Sequence, residues 1–249
     1  MSELIETSRD GAALSVTIAR PAKKNALTSA MYQALVAAFA QASSDQAIGA
    51  LLLRGVDGVF TAGNDIGDFL AIGGHTQTSP GMHFIRALAT FEKPLVAAIE
   101  GPAIGIGTTL CFHCDLVYAA PTARFQMPFV SLGIVPEAGS SLLAPQRFGY
   151  ARAAQYILLG ESFDAAAALE LGLVNAVVEP SRLYRHALEK AQALAAQPRD
   201  AMLAAKRLMR GDPALLKARM DEELRLFGEA VRSPQARAAF MAFMQKPKT

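Results

Sequence analysis

Between Lys93 and Ser141 the chain reads KPLVAAIEGPAIGIGTTLCFHCDLVYAAPTARFQMPFVSLGIVPEAGSS. Leu95–Ile99 is wholly apolar, so it reads as a strand buried on both faces rather than one with a wet side. Gly101-Pro102-Ala103-Ile104-Gly105-Ile106-Gly107 reads as a tight turn, and Thr108–Cys114 as a buried helix. Leu116–Ala119 and Arg124–Gln126 return the chain to strand. A fold that accepts this stretch must bury a sheet and pack a helix against it. The stretch also carries one acidic side chain, Glu137, in an otherwise uncharged loop.

The flanking sequence supplies the rest of such a fold. Leu4–Glu6 and Ala13–Ile18 flank Asp10-Gly11, a hairpin signal. Leu27, Met31, Leu35, Ala38 and Phe39 recur at helical spacing, which predicts a helix within Leu27–Ser43. Ile48–Leu53 reads as another doubly buried strand. Residues 66–80, with Gly73-Gly74, read as a mobile loop beside the site, and Met82–Phe91 as a short helix that ends before Pro94. A β-β-α rhythm thus recurs through the first half. After Gly149 the pattern turns helical: Ala151–Leu159, Asp164–Leu171 and Ser181–Gln197, with one short strand at Val174–Val178. Pro198–Met209, Pro213–Ala230 and Pro234–Gln245 follow, each opened by a proline. The stripe Leu216, Met220, Leu224 and Phe227 must pack on its own domain or on a neighbouring subunit.

The chain has 249 residues, 52% hydrophobic and 18% charged, with a net charge of +2. That is enough apolar material for a large core and too little charge to argue for nucleic acid or an acidic membrane surface. No apolar run reaches membrane-span length without a Gly, Pro or charge. Cys111 and Cys114 fall in one apolar run and read as reduced packing residues rather than a redox pair. With no leader-like start, they place the chain in the cytoplasm. His75, His83, His113 and His186 are scattered without metal-ligand spacing, so no metal is expected.

Three segments hold groups that could do chemistry. Burial makes a carboxylate hold its proton more tightly, the property of a general base near neutral pH. Glu137 lies in a loop that favours this, but it also precedes a helix start, where capping is worth roughly 0.3–1 kcal/mol. Spacing alone leaves both readings open. The Gly101–Gly107 segment is GxxxGxG, not a dinucleotide fingerprint. It reads better as a helix start whose backbone N–H groups face a developing oxyanion, and close helix–strand packing accounts for part of it. Thr61-Ala62-Gly63-Asn64-Asp65 is a strand-to-helix turn in which Asp65 reads as a local cap. No GxSxG elbow surrounds Ser140-Ser141.

Taken together, Phe60–Asp65, Lys93–Gly107, Cys114-Asp115 with its following strand, and Leu132–Gly139 resemble the crotonase superfamily, the enoyl-CoA hydratases and isomerases. The resemblance covers nearly the whole chain. It implies an α/β fold, a spiral of β-β-α units over residues 1–196 that holds the site, followed by a helical oligomerisation region over 197–249. It implies a homotrimer or a dimer of trimers. The match is closer to Δ3,Δ2-enoyl-CoA isomerases than to hydratases. Hydratases carry one glutamate in a Gly-Gly-Gly-Cys-Glu helix start and a second in Gln-Pro-Glu. Here those positions are Thr109 and Phe129. The isomerases carry a single glutamate in a Leu-Gly-x-x-Pro-Glu-Gly-like motif, matched by Glu137, with Ala138 in place of the usual glycine.

By the same resemblance, the backbone N–H groups of Asn64 and Ile106 form an oxyanion hole. Ala62, Gly63, Asp65, Ile66 and Gly105 line the coenzyme A and substrate site, with Ala62 beside the adenine. Arg20, Lys23 and Lys24 face the CoA phosphates, and solvated surface cations account for them equally well. Phe129, Ile104 and Ile134 line the acyl pocket, a role core packing explains just as well. Phe243 and Lys246 reach the CoA site of a neighbouring subunit. The implied reaction moves a double bond from C3 to C2 of an enoyl-CoA, with Glu137 carrying the proton and no metal or redox cofactor. Hydration of a 2-enoyl-CoA and other CoA-thioester enolate chemistry are the alternatives within the family. A nucleic-acid-binding member is disfavoured by the absence of a long basic helix face.

Overall fold

The computed structural model describes residues 4–71 and 78–245. β1 (Ile5–Asp10) and β2 (Ala13–Ile18) form the antiparallel hairpin expected around Asp10-Gly11. β2 then pairs in parallel with β3 (Ala50–Gly55), and β3 with β4 (Leu95–Ile99). β5 (Pro102–Ile104) leaves this sheet and pairs with β7 (Arg124–Gln126), which also takes β8 (Phe163–Asp164). β6 (Leu116–Ala119) and β9 (Ala176–Val177) complete the first sheet, whose order is β1-β2-β3-β4-β6-β9. Successive strand residues face opposite sides. Leu51 and Leu53 therefore enter the main core, while Ala50 and Leu52 meet Leu183, Ala187 and Ala191 of α8 (Pro180–Ala195). The apolar runs of β3 and β4 are buried on both faces, as read from sequence.

α1 (Ser29–Ser44) starts two residues after Leu27, the first residue of the periodic pattern, which instead bridges Asn64, and the Met31 N–H donates to Thr28 Oγ1. Its C-terminal end is closed from a distance. The buried ammonium of Lys93 donates to the carbonyls of Ala42, Asp45 and Ile48 at 2.5, 2.8 and 2.9 Å, which satisfies oxygens that a helix end leaves open. Asp115 ties the start of β4 in a similar way. Its Oδ2 accepts from the Leu95 N–H at 2.7 Å and from Lys206 Nζ at 2.6 Å.

The structure corrects three local expectations. Residues 66–80 are not all loop. α2 (Ile66–Ala71) opens them, because Asp65 Oδ1 accepts the Asp68 N–H and Phe69 packs against Phe227 and Phe240. Gly73-Gly74 and His75 lie outside the described residues. The described chain resumes ahead of α3 (Pro80–Thr90). The Gly101–Gly107 segment is not a plain turn but contains β5, held by pairing to β7 and by the Thr61 N–H donating to Pro102 O. Thr108–Cys114 is not one helix. α4 (Ile106–Thr109) tightens into a 3₁₀ turn over Leu110–His113 before the chain enters β6.

The remaining helices are α5 (Ser140–Phe148), α6 (Tyr150–Leu158), α7 (Ala165–Glu170), α9 (Arg199–Arg210), α10 (Pro213–Val231) and α11 (Pro234–Gln245). α10 and α11 turn back onto the main core, where Met220, Leu224, Phe227, Ala236 and Phe240 are buried. Both cysteines are buried and free.

Candidate active site

At the start of the site the Thr61–Asp65 segment is laced to two others. Thr61 bridges Ala103 in parallel, with the Ile104 N–H donating to Thr61 O at 3.0 Å. Asn64 bridges Leu27, with the Leu27 N–H donating to Gly63 O and the Asp65 N–H to Leu27 O, both at 2.8 Å. In a parallel bridge Leu27 bonds the residues on either side of Asn64, so the peptide groups of Asn64 itself turn away from Leu27. Gly63 permits the approach. Its φ is +87°, and a Cβ there would lie 2.9 Å from the carbonyl oxygen of Ile104. Gly105, at φ 57° and ψ −116°, sits just before α4 in a conformation that an L side chain rarely adopts.

These segments form one wall of a cavity of about 360 Å³, within the usual size of small-molecule sites. Ala62, Gly63, Asn64, Ile66, Gly105, Ile106, Phe129 and Glu137 all line it, as do Ile104 and Ile134. The sequence-derived residues from four separate stretches are thus brought together. Phe69, Phe227 and Phe240 also line the cavity, an aromatic wall that was not singled out from sequence. Its residues come from α2, α10 and α11, and only the fold joins them. Tyr32 was missed as well. It is buried on α1 and its hydroxyl donates to Asn64 Oδ1. Burial, with Glu137 and Asp68 nearby, pushes its phenol well above the ordinary value, so it stays a donor.

Arg20, Lys23, Lys24 and Asp65 lie apart from the cavity lining. Arg20 Nη1 donates to Asp65 Oδ2 at 2.8 Å and to Ala26 O at 2.9 Å. Burial opposes the Asp65 carboxylate, but Arg20 and the N–H groups of Asp68 and Gly67 hold its carboxyl below the ordinary range. Lys23 and Lys24 are exposed on a 3₁₀ turn, and the carbonyl of Lys24 accepts the Ala62 N–H at 2.9 Å. Phe243 falls in the backbone of α11, and Lys246 lies outside the described residues.

Glu137 is 3% exposed. Its Oε1 accepts from Thr109 Oγ1 at 3.4 Å, and its backbone carbonyl accepts the Ser140 hydroxyl at 2.6 Å. The capping role left open by the sequence belongs to another residue. The first-turn donors of α5, the N–H of Gly139 and the N–H and hydroxyl of Ser141, go to the carboxylate of Glu223 at 2.7, 2.9 and 2.6 Å. Glu223 sits on the stripe between Met220 and Leu224. An acid on an otherwise apolar helix face was the available signal for it.

Ala138, next to Glu137, has φ +58°, which costs a non-glycine residue roughly 1–2 kcal/mol. The buried imidazole of His113 steadies this loop, with Nε2 2.7 Å from Ala138 O. A carbonyl only accepts, so Nε2 carries the hydrogen. Burial pushes His113 down to about 4 from an ordinary 6.5, the bond to Ala138 opposing and Arg210 adding to the shift. Between those values the unfolded chain binds a proton that the folded chain does not. The stability tied to neutral His113 is complete above pH 6.5 and is lost as pH falls to 4, by about 3 kcal/mol. Urea midpoints at pH 7 and 4.5 should therefore separate more in the wild type than in His113→Gln, whose amide can still donate to Ala138. Equal separations would refute the assignment.

Among the described residues no group of three or more His, Cys, Asp or Glu side chains is placed to hold a metal ion. Among them, no helix is long and apolar enough to cross a membrane. Residues 8–249 match the model of the enoyl-CoA hydratase/isomerase family. Enoyl-CoA delta isomerase 2 of Rattus norvegicus is 33% identical over 255 residues, 99% of this chain; the match spans 65% of that protein's length. The 2,3-dehydroadipyl-CoA hydratase of Escherichia coli (strain K12) is 34% identical over 251 residues, covering 99% of this chain and 97% of the hydratase. The structure of Pseudomonas aeruginosa OdaA superposes with a TM-score of 0.96 at 42% identity, over 98% of this chain and 100% of that one. With its crotonase fold and these matches, the chain belongs to the enoyl-CoA hydratase/isomerase family of enzymes.

Proposed function

We propose that the protein is a Δ3,Δ2-enoyl-CoA isomerase that works with one carboxylate. The observation that carries this reading is the lining of the cavity. Among the described residues Glu137 is its one charged side chain, and Phe129 of the lining and Thr109, which is bonded to Glu137, stand where the resemblance puts the two hydratase acids. Adding water across a double bond needs a group to activate water and a group to protonate carbon. Moving a double bond needs one base that takes a proton and gives it back.

The steps follow from these groups. The thioester oxygen of a 3-enoyl-CoA accepts hydrogen bonds from the backbone N–H groups of Asn64 and Ile106. Ile106 is the first residue of α4, so its N–H has no partner within the helix. Glu137 removes a proton from C2, and the electron pair spreads through a dienolate onto the thioester oxygen. Each oxyanion donor is worth roughly 2.7–4 kcal/mol there. Protonated Glu137 then delivers the proton to C4, and the double bond rests between C2 and C3. The aromatic wall keeps water from the dienolate. The CoA phosphates lie toward Arg20, Lys23 and Lys24, on the turn bonded to Ala62.

The same reading includes a homotrimer or a dimer of trimers. Leu208, Met209 and Leu215, 84, 79 and 67% exposed on or beside α9 and α10, are apolar surface for a neighbouring copy to cover. The test has two arms. In one, purified protein receives a 3-enoyl-CoA or a 2-enoyl-CoA, and conjugation is followed by absorbance. Gain of conjugation from the 3-enoyl ester is expected to outrun its loss from the 2-enoyl ester. Hydration at an equal or higher rate would make the enzyme a hydratase. In the other, the native mass is measured; a monomer would remove the trimer.

A further inference from the structure

α10 turns an apolar stripe toward the site, yet Glu223 lies in the middle of it, 5% exposed. A buried carboxylate is unfavourable by several kcal/mol unless donors meet its oxygens. Three donors meet those of Glu223, and all come from the segment immediately after Glu137. Oε2 takes the Gly139 N–H, and Oε1 takes both the N–H and the hydroxyl of Ser141. Arg219, one turn earlier on α10, reaches the same hydroxyl at 3.4 Å. Only Ala138 separates Glu137 from this clamp, and its carbonyl is held by His113.

The side chains around Glu137 do not fix it by packing alone. A small gap of about 10 Å³ touches both Glu137 and Glu223, with Met82, Ile85 and Phe227 around it. Thr109 Oγ1 gives the Glu137 carboxylate one long hydrogen bond, and the backbone that carries the side chain also sets its aim. The backbone in turn is pinned by His113 on one side and Glu223 on the other.

We propose that Glu223 is a positioning residue for the reaction. Its carboxylate clamps the first turn of α5 and so fixes the Glu137 carboxylate at the distance and angle the substrate requires. The inference rests on the reading of Glu137 as the base. It also gives α10 a function beyond covering apolar surface, since a helix from the C-terminal region sets the geometry of the proton-transfer group.

The test uses the full-length protein with a 3-enoyl-CoA and three variants. Glu223→Ala is expected to lower kcat roughly 10²-fold through loss of alignment, with KM changed by less than about threefold. Glu223→Gln keeps one accepting oxygen for Ser141 but offers an amide to the Gly139 N–H, so its kcat should fall between wild type and Glu223→Ala. If Glu223→Ala does not fold, Glu223→Gln decides: a drop of about tenfold in kcat at unchanged KM supports the proposal, and wild-type kcat overturns it. A loss expressed as a matching rise in KM would also overturn it. Glu137→Gln is the control. Loss of activity there with wild-type kcat in the Glu223 variants sinks the positioning role alone. Full activity in Glu137→Gln sinks the base reading, and this inference with it.

Discussion

Glu137→Gln is expected to slow isomerisation of a 3-enoyl-CoA by about 10²–10⁴-fold in kcat, with KM near the wild-type value. That corresponds to roughly 3–5 kcal/mol of lost transition-state stabilisation. The substitution keeps the shape of the side chain. The amide oxygen can still accept from Thr109 Oγ1, the bond seen at 3.4 Å, and the backbone carbonyl still accepts from Ser140. The loop, the cavity and the N–H groups of Asn64 and Ile106 are untouched. What disappears is the capacity to take a proton from C2 and hold it until it reaches C4. The lining offers no second charged group to replace it among the described residues. Both halves of the expectation matter. A kcat within about twofold of wild type would remove Glu137 from the chemistry. A large rise in KM with kcat preserved would make it a binding group instead.

Much of this site is legible in the sequence because it is built from short, chemically distinct segments. Glu137 stands out as one acid in an uncharged loop, Gly63-Asn64 marks a place where backbone has to approach backbone, and Gly105-Ile106 one where the chain turns through a positive φ. The buried strands are legible for a similar reason: Leu51–Leu53 and Leu95–Ile99 carry no polar face at all. What escapes the sequence depends on pairings between distant parts of the chain. β5 is three residues long and exists through β7. α2 is six residues long and is held by a cap and by Phe69 meeting Phe227 and Phe240. Tyr32 looks like one more helix residue until α1 is laid beside Asn64. Glu223 is the sharpest case. Its place on the apolar face of α10 marks it locally, but its role follows from a partner 84 residues away at Gly139.

Phe240→Ala is expected to destabilise the protein by roughly 3–5 kcal/mol, measured from urea midpoints at fixed protein concentration. Phe240 is 1% exposed, although it belongs to the last helix described. Its ring lies 5.8 Å from that of Phe69, which in turn meets Phe227 at 6.0 Å. Phe240 therefore ties α11 to α2, and through Phe69 to Phe227 of α10, while facing the cavity. Truncation removes the apolar burial and leaves a void that the rigid neighbours only partly fill. Phe240→Leu should cost less, since it keeps most of the apolar volume at the same place. The kinetic consequence follows from the same contact. Phe240 lines the cavity, and in the proposed reaction the acyl chain and the dienolate lie against this wall, so Phe240→Ala should raise KM for a 3-enoyl-CoA as well. A change below about 1 kcal/mol in Phe240→Ala would mean that α11 is not anchored through this residue. If stability fell while KM stayed fixed, Phe240 would hold the helix without shaping the substrate site.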